Sequence, residues 1–259
     1  GVSFFIKDDI HKESAASYGG SLPLVQPWRT QHDRMISFGF QDILALSSRM
    51  RATVGLSADL LDAVHAEDLR TTVTGSGKTA VTTYSVEPFP CAGDDCLSHE
   101  WDFNPLASIS YSVSRTGSLF LSFARKSHFP TLKDRYSYRY GRAIPNPALK
   151  PEHAQNWNLG YSHALPRNTV LQVELFRSGV QDAIQNAIVD AEYGNQCPSM
   201  PAGKCQQAVN IGEEVHQGVE LAVRSNPVSR LTVDANYSFL NWTVSGPSNM
   251  QGVHPVRAP

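Results

Sequence analysis

The chain lacks any run of about 18 apolar residues, so no transmembrane helix can be read from it. It has little net charge: 22 Lys and Arg against 24 Asp and Glu leave −2. That balance gives no global electrostatic case for a nucleic-acid partner. Cysteine is scarce, at four residues in 259. Catalytic signatures are missing too. Gly75-Ser76-Gly77-Lys78-Thr79 lacks the leading Gly of a phosphate-binding loop, because position 72 is Thr, and it reads as a flexible loop tip. Gly160-Tyr161-Ser162-His163-Ala164 lacks the last Gly of a nucleophile elbow. His99-Glu100 has no second His four residues on, and no pair of carboxylates stands out as an acid/base couple. The chain does not read as an enzyme, and no cofactor or metal is expected.

What is present is alternation. Segments of about ten residues place apolar side chains at every second position. Ile36, Phe38 and Phe40 alternate with Ser37, Gly39 and Gln41; Val54, Leu56 and Ala58 with Thr53, Gly55 and Ser57. Ala107, Ile109 and Tyr111 oppose Ser108, Ser110 and Ser112; Leu231, Val233, Ala235, Tyr237 and Phe239 oppose Thr232, Asp234, Asn236 and Ser238. About nine strands follow: residues 1–15, then about 34–46, 51–61, 101–113, 118–129, 153–165, 169–184, 214–224 and 230–244. Residues 62–100 read as one long polar loop. Short turns near 47–50, 114–117, 166–168 and 225–228 alternate with long connections. Short turns at one end and long loops at the other, with small polar residues on the second face, fit a transmembrane barrel better than a soluble sandwich. Trp157, Tyr161, Tyr237 and Trp242 are candidates for interfacial aromatic girdles.

The cysteines form two close pairs, Cys91/Cys96 and Cys197/Cys205, each inside a polar Gly/Pro-rich loop. Three pairings are open, of which the local one is favoured. Each local bridge would contribute about 2–3 kcal/mol in the chain-entropy model and would imply an oxidising compartment. Zinc is the competing reading. Spacings of Cys-x4-Cys and Cys-x7-Cys without flanking His or Cys fit it poorly.

The stretch 122–164 is the most specific. A strand runs into His128-Phe129-Pro130-Thr131-Leu132, and a basic aromatic loop follows with Arg135, Tyr136, Tyr138, Arg139, Tyr140 and Arg142. The chain returns through Asn146-Pro147-Ala148-Leu149-Lys150-Pro151-Glu152 to a strand carrying Trp157, Leu159 and Tyr161. Pro145, Pro147 and Pro151 cannot donate to a ladder, so pairing stops there and the approach is stiff and extended. The loop could hold a planar or anionic ligand by stacking and charge-assisted bonds. The plainer reading is a structural loop held by its own tyrosines.

Together these segments resemble the TonB-dependent outer-membrane receptors. Asn146, Pro147, Leu149, Pro151 and Glu152 match that family's N-P-x-L-x-P-E return segment, and Gly160-Tyr161 the strand after it. Asn158 stands where the family often has Glu. Gly218-Val219-Glu220-Leu221, the stretch 231–239 and the paired strands around Gln41-Asp42 extend the likeness over about 34–244. The resemblance implies an all-β fold. It would be an antiparallel up-and-down transmembrane β-barrel segment, about nine strands of a larger barrel of roughly 22, in a bacterial outer membrane. It implies a partial barrel domain over 1–259, with the plug domain and remaining strands supplied elsewhere. The whole receptor would take up a scarce ligand (a ferric siderophore, haem, cobalamin or a glycan) by energy-coupled transport. Its partners would be outer-membrane lipid, the small-molecule ligand and, through the plug, the TonB complex. The fragment alone is expected to be inactive. Two rivals remain at this stage: a passive porin-like barrel, and a soluble cell-surface β-domain binding a polymer or partner.

Overall fold

The computed structural model describes residues 1–14, 16–17, 24–90, 97, 99–139, 141–190, 197, 200–201, 203–228, 230–245 and 254–255. In chain order the elements are β1 (Val2–Glu13), β2 (Ala16–Ser17), β3 (Leu24–Val25), β4 (Arg29–Ala45), β5 (Met50–Thr74), a 3-10 turn (Gly77–Thr79), β6 (Val81–Pro88), β7 (His99–Ser112), β8 (Gly117–His128), α1 (Leu132–Tyr136), β9 (Glu152–Leu165), β10 (Thr169–Gln181), β11 (Ile184–Asp190), β12 (Lys204–Asn210), β13 (Glu213–Val228), β14 (Leu231–Ser245) and β15 (His254–Pro255). Nine of them form one antiparallel wall in the order β1-β4-β5-β7-β8-β9-β10-β13-β14, with β6 paired to the far end of β5. Neighbours in the wall are successive crossings of the chain, the up-and-down order that tight turns dictate.

Register separates the two faces. Phe4 sits opposite Phe38, Phe38 opposite Ala58, and Ala58 opposite Phe103. Further along, Ile109, Leu121, Leu159, Leu175, Val219 and Phe239 continue an apolar row. Phe4, Phe38, Phe103, Leu121 and Phe239 are all exposed, which in water would be a large unpaid apolar surface. A bilayer removes that cost. From Trp101 to Tyr111 the outward face of β7 spans ten residue steps. At about 3.3 Å per step and a tilt of about 40°, that is a belt about 25 Å high. A charged row closes its upper edge: Asp8 holds Arg34 at 2.9 Å and His32 at 2.8 Å, and Asp62 holds His99 at 2.8 Å.

Trp157, Tyr161 and Tyr237 belong to the apolar face by register. Trp242 does not. It pairs with His216 on the other face and stacks on it, with ring centroids 5.9 Å apart. That inner face is polar and close-packed where aromatics cross it. The Phe120 ring lies over Gly160, where a Cβ would overlap it, and a Cβ on Gly218 would overlap the Phe239 carbonyl.

Residues 62–100 are not one loop. β5 continues past the belt to Thr74 and returns as β6. Above the belt both faces are wet, so apolar alternation no longer marks a strand, and Ala66-Glu67-Asp68-Leu69-Arg70 carries no period-two signal. β11 and β12 form a second outer hairpin for the same reason.

The glycines give a test of the wall. Gly160→Ala should destabilise the folded barrel by about 1–3 kcal/mol, and a Phe120→Leu partner should recover most of it. Gly218→Ala should not be recovered by Phe176→Leu, because backbone rather than a ring blocks the site. Denaturant midpoints in detergent micelles distinguish these outcomes; equal rescue at both positions would refute the assignment.

Candidate functional site

The loop after β8 folds back over the polar face, which is therefore the interior. Thr131 caps α1: its hydroxyl accepts from the Asp134 N–H at 3.3 Å and donates to the Asp134 carboxylate at 2.6 Å. The cap sets the turn so that Leu132 and Tyr136 are buried against Ala66, with Phe89 packed alongside. Phe89 meets Tyr136 edge-on, centroids 5.4 Å apart.

Charge fixes the loop to the wall. Arg135 is 1% exposed, 3.4 Å from the Asp33 carboxylate on β4, and donates to the Tyr136 hydroxyl at 2.6 Å. Glu13 on β1 accepts from the Ser137 hydroxyl and from the Tyr138 N–H, and pairs with Arg29 at 2.9 Å. The Arg29 guanidinium lies 4.8 Å over the Tyr138 ring, and the Tyr138 hydroxyl donates to Asp68 at 2.7 Å. Burial pushes the Tyr136 hydroxyl up to about 12. It also raises Tyr138, with the Asp68 acceptor adding to the effect. Both tyrosine hydroxyls stay protonated across the physiological range, Tyr138 donating to Asp68 and Tyr136 accepting from Arg135.

The return segment is a stitch between two outer loops. Asn146 donates its side-chain N–H to the Ala208 carbonyl at 2.8 Å and its backbone N–H to the Arg135 carbonyl at 2.9 Å. Ile144 and Arg142 exchange backbone bonds with Gln206, and Gln207 reaches the Pro145 carbonyl. Asn210 accepts from the Lys150 N–H at 3.0 Å and donates to its carbonyl at 2.9 Å. Glu152 accepts from the Ile184 N–H at 2.5 Å and lies 2.8 Å from His128 Nδ1. Leu149 is buried. The prolines have no N–H to give a wall ladder, but the segment is not extended throughout as expected: it turns at Pro147-Ala148, where the Leu149 N–H bonds the Asn146 carbonyl at 3.4 Å, and its polar groups face the β11–β12 hairpin. Cys197 and Cys205 are bonded, Cα atoms 5.5 Å apart, at the end of that hairpin where β12 begins opposite Val189. Cys91 and Cys96 lie outside the described residues, as does Tyr140.

The loop residues singled out in the sequence therefore divide. Arg135 and Tyr136 are buried in the latch, and Tyr138 is bound to Asp68 and stacked under Arg29. Arg139 and Arg142 face a cleft of about 900 Å³ between the top of β1, the loop and the β11–β12 hairpin. Arg139 takes a positive φ of 46° and pairs with Asp134 at 2.9 Å. Lys12, Glu13, Trp28, Lys133, Asn186 and Gln206 share the lining; of these, only Lys133 lies in the loop singled out in the sequence. They come from five separate segments, so no local motif could gather them. Among the described residues no cluster of metal-ligating side chains is present.

Asp33 lies above the belt, beyond the charged row. Burial pushes its carboxyl up to about 6, against the opposing pull of Arg135. One carboxylate oxygen has no hydrogen-bond partner.

A wall of amphipathic antiparallel strands with an apolar belt, an inward-folded loop and a polar interior defines an outer-membrane β-barrel protein. The profile of one family, described as TonB dependent receptor-like, beta-barrel, matches residues 2–259, and the chain belongs to that family. A search of curated proteins finds no significant match. Among solved structures, the hemophore receptor HasR of Serratia marcescens, in complex with its hemophore HasA and heme, is similar at a TM-score of 0.64 and 11% identity. The alignment covers 93% of this chain and 40% of that one. The copper transporter OprC gives 0.62 at 14% identity, over 94% of this chain and 36% of its own. The ferric yersiniabactin uptake receptor FyuA of Yersinia pestis gives 0.56 at 12%, over 94% and 32%. These likenesses are of fold, and the chain spans 40% or less of each of these proteins.

Two predictions follow from the latch and the stitch. An acid whose folded pKa is about 6, against 3.8 unfolded, keeps a proton that the unfolded chain has released. Stability from this site therefore falls as pH rises from about 4 through about 6, and returns on acidification. Asp33→Asn should flatten that dependence; wild-type and variant unfolding midpoints that track each other between pH 4 and 7 would place the cost elsewhere. Glu152→Ala should cost about 1.5–3 kcal/mol for a charge-assisted bond and speed proteolytic clipping in both the 129–151 loop and the β11–β12 hairpin. Clipping confined to one loop would show that they are not coupled.

Proposed function

We propose that this chain is part of the barrel of an energy-coupled outer-membrane receptor that imports a scarce small-molecule ligand. Residues 1–259 would supply part of the wall and four of its outer connections, those after β1, β5, β8 and β10. A plug domain and the remaining strands would complete the receptor, with the TonB complex acting through the plug. The observation that carries the reading is the inward-folded, stitched loop over a polar interior. A passive pore needs an open path, whereas here buried ion pairs hold a loop folded over the polar face of the wall. A soluble domain would not leave Phe4, Phe38 and Phe103 on one open face. The candidate ligand contacts are the cleft residues Arg139 and Arg142, with Arg135, Tyr136 and Tyr138 holding the loop that presents them.

The test uses cells making the full-length polypeptide that carries this sequence. Under iron starvation they should deplete an iron complex from the medium with saturable kinetics, and a protonophore should abolish uptake while leaving surface binding intact. Steady ion conductance in planar bilayers, with no saturable binding, would replace this reading with the porin-like one.

A further inference from the structure

The wall is closed in two different ways along one seam. Low on it, β7 and β8 share a ladder from Ser112 opposite Ser118 up to Leu106 opposite Ala124. Above that step no ladder pair joins them among the described residues, although β7 stays paired to β5 as far as His99 and β8 to β9 as far as His128. Side chains cross the seam there instead. Asp102 on β7 is held by Arg125 on β8 and His153 on β9, each at 2.6 Å, and Asn104 donates to the Ser127 hydroxyl at 2.8 Å. By register Arg125 and His153 have the outward parity of Phe123 and Trp157, whereas Asp102 has the inward parity of Ser108. The clasp therefore threads between the strands. It is also incomplete: Asn104 Oδ1 is buried with no hydrogen-bond partner, and a partly satisfied network holds less firmly than a full one.

The latch spans the same seam. Its loop follows β8 in the chain, yet Arg135 pairs with Asp33 on β4, Ser137 and Tyr138 bond Glu13 on β1, and the Tyr138 hydroxyl bonds Asp68 on β5. A loop that belongs to one side by sequence is tied to the other by charge.

We infer that the outer half of the wall opens along the upper β7–β8 seam. The β1–β7 and β8–β14 sheets hinge on the ladder below it, and the latch is the strap that holds them shut. Parting any other neighbours in the wall would strip ladder bonds inside the bilayer, where nothing replaces them. Parting these breaks side-chain bonds alone, and a cavity of about 430 Å³ under the loop, lined in part by Asp59 and Ser127, brings solvent to them. The inference needs only the barrel wall and stands whatever the receptor imports.

Spin-label distance measurements on the folded full-length polypeptide in lipid nanodiscs test it, with labels attached by non-thiol chemistry to outward residues of β5 and β9. Labels at Ala58 and Gln155 straddle the upper seam, and labels at Ala52 and Leu159 straddle the ladder. The lower pair should give one distance. The upper pair should give two populations, the minor one longer by at least about 5 Å, one interstrand spacing. Pro105→Val restores the missing N–H and should deplete the longer population about three- to tenfold. Arg125→Gln, which cuts the clasp, should enrich it, and so should Glu13→Gln, which loosens the strap without touching the seam. Heat-modifiable gel mobility first shows each variant to be folded. A single upper distance that neither Arg125→Gln nor Glu13→Gln splits would overturn the opening. Two populations at both levels, or upper populations indifferent to Pro105→Val, would overturn the seam as the place of opening. A response to Arg125→Gln but not to Glu13→Gln would overturn the strap.

Discussion

A strand crossing a bilayer must have every backbone N–H and C=O paired, because lipid offers no substitute for water. Most of this chain's architecture descends from that requirement. Nine strands pair in unbroken succession from β1 to β14. Ladder pairing fixes which residues face outward, and the outward residues must then be apolar. It also brings neighbouring strands close enough that large inward side chains need room. Phe120 finds it over Gly160, and Phe176 packs beside Gly218. The short turns at one end are the cheapest way to keep adjacent strands in register. Nothing similar limits the other end, where water can satisfy the backbone, and there the strands run on past the belt.

Beyond the belt the organising force changes from ladder bonds to buried charge. Arg135, Asp33, Glu13 and Arg29 are all nearly inaccessible, and each pair is expensive to desolvate. Such pairs give little net stability compared with an apolar core, but they specify one arrangement sharply. Glu13 ties β1 to β4 through Arg29 and both to the loop through Ser137 and Tyr138. The loop is then stitched to the β11–β12 hairpin through Asn146, Gln206 and Asn210. The cleft walls, drawn from β1, the loop and the hairpin, are thus held at fixed separation by bonds in which Glu13, Ser137 and Gln206, themselves part of the lining, take part.

How much of this could be read from the sequence depended on the solvent each residue meets. Where one face meets lipid and the other does not, alternation is strict, and strand positions such as 101–113 and 153–165 stand within about two residues of β7 and β9. Where both faces are wet the code disappears, which hid the upper half of β5 and the hairpins β5–β6 and β11–β12. The basic aromatic loop was visible as a cluster, but composition does not separate residues spent on the latch from those left free. Arg135 and Arg142 are the same residue type seven positions apart. Only the fold places one 3.4 Å from Asp33 and the other on the cleft. Lys12 and Trp28 gave no local signal, because the loop and hairpin residues that share the cleft with them, from 133 to 206, lie over 100 positions away in sequence.

The strength of the pairing rule is clearest where the wall breaks it. The β7–β8 ladder stops at Leu106 and Ala124, although both strands continue upward. Ser112 donates towards the β5 side, so the odd residues of β7 point their backbone groups at β8. Pro105 is odd and has no N–H to give, so the ladder fails at that step. Phe103, the next odd residue, would be left with an unpaired N–H and C=O beside the apolar belt. Its N–H donates to the Asp102 carboxylate at 2.8 Å, and its carbonyl accepts from Arg125. Arg125 and His153 in turn hold Asp102, each at 2.6 Å, and Asn104 bridges to Ser127 at 2.8 Å. The charged groups at this seam need no catalytic or ligand role to account for them: they supply the hydrogen bonds that proline removed.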